Sequence, residues 1–97
     1  MKFEWDTKKD KSNIHKHKVS FEEAVYVFND KYSLSSYDSE HSDNEDRYVL
    51  LGKSDTNLVL LVVHTFRDED NIEIVRIISA RKATKNEQKV YNERCPI

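Results

Sequence analysis

The fold class expected from this sequence is α+β: a small antiparallel sheet of three to four strands with two N-terminal helices and a C-terminal helix. Three observations carry it. Residues 47–80 hold apolar, β-branched runs separated by polar turn clusters, which is how hairpins are punctuated. The segments on either side hold Ser20 with Glu23 and Thr84 with Glu87, each a capping box that opens a helix. The helices are also grouped outside the strands rather than alternating with them, so the strands should form a meander and the helices should pack on one face of it. Ninety-seven residues give room for one domain, 1–97, and one core.

Taken in order, Phe3-Glu4-Trp5 alternates aromatic and polar and reads as a short strand. Asp6 follows as the N-cap of a helix over Thr7 to Lys16, in which Ile14 is the one obvious core residue. The second helix starts at the Ser20 capping box, carries Phe21, Ala24, Val25 and Phe28 on one stripe, and ends near Asn29-Asp30. Tyr32 to Tyr37 alternates weakly, as a strand does, and Asp38 to Asp46 is a polar connection. Arg47 to Leu51 is a strand that reaches Gly52, the only glycine, and Ser54 to Asn57 turns it back. Leu58 to Phe66 is the central strand, because Leu58 to Val63 is apolar at every position and needs cover on both faces. Arg67 to Asn71 is the next turn and Ile72 to Ala80 the last strand. The closing helix runs from Thr84 to about Glu93, with Val90 as its main apolar residue and Tyr91 beside it.

Composition describes a folded, very polar protein, 37% hydrophobic and 35% charged. No 18-residue apolar stretch occurs and Met1 to Asp6 lacks the apolar region of a signal peptide, so a soluble, cytoplasmic protein with no membrane partner is expected. The single cysteine, Cys95, excludes an internal disulfide and a paired-cysteine metal site. The net charge of −2 conceals segregation. Lys8 to Lys18 holds five lysines and two histidines against one acid, and Asp38 to Asp46 holds five acids. From Arg76 onward, six basic residues stand against two acids. If the first and last segments share a face, they create a positive field that suits a polyanion.

Chemistry narrows the choice further. His15 and His17 lie on different sides of a helix and are flanked by lysines, which opposes a metal ion. The acidic run from Asp38 to Glu45 lacks the glycine and carboxylate order of a calcium loop. No nucleophile elbow, phosphate-binding loop or dinucleotide fingerprint is present, and no cofactor is expected. The stretch Arg76-Ile77-Ile78-Ser79-Ala80-Arg81, leading into Lys82, sets two guanidinium forks beside a hydroxyl at the mouth of a helix, which suits phosphate. Metal-free RNA cleavage needs a base for the 2′-hydroxyl, an acid for the leaving oxygen and cations near phosphorus, all within this repertoire. A non-catalytic RNA- or protein-binding module would use the same basic surface.

The order of several blocks resembles the BrnT family of type II toxin ribonucleases. They are Phe3-Glu4-Trp5-Asp6, Lys8 or Lys9, Asn13, Lys16-His17, Val19 to Ala24 and Val27-Phe28, then Asp38-x-x-His41-Ser42-x-x-Glu45-x-Arg47. Gly52-x-Ser54, Thr65-x-Arg67, Arg76 to Arg81 with Ala83-Thr84, and Glu87-x-x-x-Tyr91 complete the series. The resemblance implies a RelE-like fold, RNA cleavage that arrests translation, and neutralisation by an antitoxin of BrnA type. The antitoxin's ribbon-helix-helix domain would provide the only link to DNA. It also implies catalytic roles for Arg76, Arg81 and Arg67 on phosphate and for His17 as general base. Lys8, Lys9, Lys16, Ser79, Lys82 and Tyr91 are then expected to bind RNA, while His41 and Glu45 support Arg47 structurally. Regular strand alternation would put Arg76 and Arg81 on opposite faces, so both can reach one phosphate only if the strand bulges or ends near Ser79.

Overall fold

The computed structural model describes residues 1–95, which form β1 (Lys2–Glu4), α1 (Thr7–His17), α2 (Phe21–Val27), β2 (Leu34–Tyr37), β3 (Tyr48–Lys53), β4 (Val59–Glu69), β5 (Ile72–Lys82) and α3 (Lys85–Arg94). The α+β class stands, with a larger and mixed sheet. Its five strands run in the order β1-β5-β4-β3-β2, and β1 pairs parallel to β5 while the other neighbours are antiparallel. The expected three to four strands are those of the meander, with the weak Tyr32–Tyr37 run as the uncertain fourth and the short first strand left outside the sheet. Both become edges: Phe3 aligns with Val75, and Leu34 with Leu51. The turn expected over Arg67 to Asn71 contracts to Asp70 and Asn71, both at positive φ, so Arg67 to Glu69 lengthen β4.

Alternation assigns the core. Leu50, Leu60, Val62, Val75, Ile77 and Ala80 meet Val19, Phe21, Ala24 and Val27 under α1 and α2. Leu51 and Val59 point the other way and are covered by Tyr91 of α3. The helices therefore lie on both faces, contrary to the expected single layer, and the reason is the apolar run in β4. Residues of both parities there must leave water, and one helical layer covers only one parity.

Hydrogen bonding, more than apolar burial, docks the first helix. Ile14, its expected core residue, is 42% exposed, whereas Asn13 is buried. The Asn13 amide donates to the carbonyls of Val19 at 2.8 Å and Ala80 at 2.7 Å, and its oxygen accepts from the Ala80 N–H at 3.1 Å. Among the described residues, the edge of β5 beyond the Glu4–Arg76 pair has no strand neighbour, so the Asn13 side chain supplies both hydrogen bonds that a strand residue would. Lys18 ends α1 at φ 59°, a left-handed conformation that favours glycine. In α3, Val90 is exposed and Tyr91 is buried, the reverse of the expected order. The Tyr91 hydroxyl donates to Asp30 Oδ2 at 2.6 Å, and the same carboxylate accepts from the N–H groups of Lys53 and Tyr32. Burial raises the Asp30 carboxyl, but these three donors outweigh it and hold it below its ordinary value.

One irregularity places the functional groups. Ile77 pairs with His64 and Ser79 with Val63, which leaves Ile78 as an extra residue in β5. This bulge resets the alternation: Val75, Ile77 and Ala80 share the core face, while Arg76, Ser79 and Arg81 all stand on the opposite face, across from Thr65, Val63 and Leu61.

Candidate active site

The face bearing Ser79 and Arg81 carries a cleft of about 460 Å³ where α3 does not cover the sheet. Val49, Leu61 and Val63 supply apolar lining, Ser79 and Arg81 come from β5, and Tyr37, Asp38, His41 and Arg47 close the rim. Apart from Tyr37, the last residue of β2, the rim belongs to the acidic connection between β2 and β3, which is folded back on itself. Asp38 N–H donates to the Arg47 carbonyl at 2.9 Å, Arg47 N–H donates to Ser42 Oγ at 2.9 Å, and Ser42 in turn donates to the Asp38 carbonyl. His41 Nδ1 donates to Asp38 Oδ2 at 3.0 Å, an arrangement that leaves Nε2 as the free nitrogen of the ring. Arg47 Nε is buried without a hydrogen-bond partner among the described residues.

Electrostatics distinguishes the arginines. Arg81 grips Glu87 of α3 with two bonds, of 2.7 and 3.0 Å, and the Arg81 hydrogen bond holds the Glu87 carboxyl down at about 2. Glu87 raises the Arg81 guanidinium in return. Arg67 and Arg76 converge instead on Glu4 of β1, with Arg67 Nη2 at 2.8 Å and Arg76 Nη1 at 3.0 Å. Their hydrogen bonds, that of Arg67 first, hold the Glu4 carboxyl at about 2. Neither Arg67 nor Arg76 lines the cleft.

A second depression, a groove of about 200 Å³, lies between α1 and β5 and is lined by Lys9, Ser12, Asn13, Lys16, His17, Ile78 and Ser79. The helical residues recur at i, i+3, i+4, i+7 and i+8, one stripe of α1. Lys8 lies off that stripe. A third depression, of about 310 Å³, is lined by Glu40, Asp43, Asn44 and Glu45 and shares His41 and Arg47 with the cleft. The cleft and the α1 groove share Ser79.

Of the residues singled out from the sequence, Arg81 and Ser79 thus line the cleft, and Lys9, Lys16 and His17 join Ser79 in the adjoining groove. Arg67 and Arg76 are tied to Glu4 at the sheet's β1 edge. Lys82 stands opposite Leu60, whose face is the core face, so it projects away from Arg81. Tyr91 is 2% exposed and engaged with Asp30, so its ring has no face for a base. His41 and Arg47, read as structural from the sequence, line the cleft together with Tyr37 and Asp38. Their signal in the sequence was the Asp38-x-x-His41 and Arg47 block; no periodicity marks them, because they sit on a loop.

Comparison with known proteins bears on what such a cleft serves. No curated protein sequence matches the chain. The fold is similar to a crystal structure of the Brucella abortus ribonuclease toxin BrnT, with a TM-score of 0.59 at 23% identity, covering 88% of this chain and 99% of that one. The family described as ribonuclease toxin, BrnT, of type II toxin-antitoxin systems matches residues 5–87. That match runs from the residue after β1 to the Glu87 that holds Arg81, and the chain belongs to the BrnT family of ribonuclease toxins.

Proposed function

We propose that this protein, as one toxin domain over residues 1–97, is a metal-independent endoribonuclease that arrests translation and is silenced by a cognate antitoxin. The observation that carries the reading is the β5 bulge, which brings Ser79 and Arg81 onto the face where His41 and Arg47 wait. In the proposed step the scissile phosphate lies against Arg81, Arg47 and the Ser79 hydroxyl, whose donors meet the charge that builds on the phosphoryl oxygens. His41 Nε2 takes the proton of the ribose 2′-hydroxyl, with Asp38 fixing the ring. The 2′-oxygen attacks phosphorus, the 5′-oxygen leaves with a proton from His17, and the products are a 2′,3′-cyclic phosphate and a 5′-hydroxyl. Arg76 and Arg67 take no part in that step and brace β1 against β4 and β5 through Glu4. Kinship with RelE-like toxins, an antitoxin of BrnA type with a ribbon-helix-helix domain, and residence in the cytoplasm belong to the same proposal. The fit with a cell interior is that, among the described residues, no helix is long and apolar enough to cross a membrane.

Incubation of the purified protein with a defined RNA in EDTA tests it. Cyclic-phosphate ends are expected, and His41→Asn or His17→Asn should each lower kcat by about 10²-fold or more. Cleavage that stops on chelation would exclude the metal-free step, and intact RNA under tight binding would make the protein a binding module.

A further inference from the structure

The three depressions form a row. The acidic pocket shares His41 and Arg47 with the cleft, the cleft shares Ser79 with the α1 groove, and the two outer depressions share no residue. Their charges are opposite. Glu40, Asp43 and Glu45 line one end, and Lys9, Lys16 and His17 line the other. All six of these side chains belong to exposed residues, and among the described residues none of the three carboxylates is in an ion pair closer than the 3.8 Å of Glu45 to Arg47, so both fields reach solvent.

Resting on the ribonuclease reading above, we infer that the substrate is single-stranded RNA bound on one side of the cut only. From the cleft the strand passes over Ser79 onto the Lys9–Lys16 stripe of α1, and its other arm leaves without a protein track. A polyanion gains from each lysine it follows and is repelled by carboxylates within a Debye length of about 8–10 Å, so the charge gradient along the row sets a direction. The apolar lining of Val49, Leu61 and Val63 accepts one unstacked base, which a duplex does not offer. The acidic connection then acts in specificity, by denying the second arm a binding surface.

The experiment uses the full chain and an RNA oligomer with one mapped cut and equal arms on both sides, plus two copies in which one arm or the other is trimmed to a single nucleotide. Trimming one arm should lower kcat/KM about tenfold or more, and trimming the other should change it less than about twofold. In the Lys9→Glu/Lys16→Glu variant that difference should vanish, and in Asp43→Lys/Glu45→Lys the formerly idle arm should begin to matter. Equal losses on trimming either arm, or a one-sided loss that survives the Lys9→Glu/Lys16→Glu change, would overturn the inference. Copies carrying a 2′-deoxy nucleotide at the cut separate the track from the chemistry. Their binding should weaken about tenfold in Lys9→Glu/Lys16→Glu, with a log–log salt slope shallower by about 1.4 for two lost phosphate contacts. Binding unchanged by that variant overturns the track even if RNA is cut. One-sided, lysine-dependent binding without cleavage upholds the track and removes the ribonuclease step instead.

Discussion

Individual residues show where backbone geometry, rather than side-chain chemistry, decides. A Cβ on Gly52 would come within 2.9 Å of Val27 Cγ1 and 3.0 Å of Ser33 Cβ, so this glycine lets β3 approach the end of α2. Its role is close approach; the turn is made by Ser54 to Asn57, as the sequence leads one to expect. Gly52→Ala should cost about 1–3 kcal/mol in urea unfolding through overpacking, and an unchanged midpoint would contradict the packing. Lys18 poses the opposite case. Its left-handed backbone costs a side-chain-bearing residue about 1–2 kcal/mol, partly offset by the entropy glycine loses on folding, so Lys18→Gly should raise stability by about 0.5–1 kcal/mol. Glu4 and Glu87 supply the acid response. Both carboxyls are depressed from 4.5 to about 2, so their stabilisation is complete above 4.5 and is lost as the pH falls from there through about 2. Glu87→Gln should flatten part of that acid-side decline in melting temperature, and an identical decline in the variant would remove Arg81–Glu87 from the balance.

Between elements, Asn13 has a larger role than its surface-like sequence context implies. It is the one buried side chain of α1, and its amide holds the helix against β5 at Ala80, between Ser79 of the cleft and Arg81. Asn13→Ala strands the Ala80 N–H and C=O and the Val19 carbonyl, which should cost about 2–4 kcal/mol. Hydrogen exchange at Ala80 should rise above the global change, because the loss begins at this edge; uniform acceleration would instead mean that α1 and β5 open with the whole protein. A helix whose contact is a carboxamide cannot be oriented from apolar spacing, which is why Ile14 looked like the core residue. The bulge at Ile78 has no local signal either, since Arg76 to Arg81 reads as a regular β-branched strand; it is foreseen only as a condition for Arg76 and Arg81 to share a phosphate.

For the whole molecule, charge and topology together separate two sets of arginines. Arg81→Ala should relieve growth arrest on expression and lower cleavage by about 10²–10³-fold, whereas Arg76→Ala should lower the melting temperature by a few degrees and leave arrest in place. Arrest relieved by Arg76→Ala in a protein of unchanged melting temperature would return Arg76 to the chemistry. The segregated charges seen along the chain do meet, though as a row with an acidic end rather than as one positive face.

Local signals in the chain determined the α+β class, both capping boxes, the central place of the apolar strand and the family resemblance, because each depends on neighbouring residues and their spacing. Tertiary structure alone decided the parallel β1 edge, the second helical layer, the bulge that turns Ser79 and Arg81 to one side, and the loop that brings His41 and Arg47 to them. Those features join residues tens of positions apart, and what selects them is the need to satisfy the free edge of β5 and to cover both faces of β4, conditions that exist only once the sheet has formed.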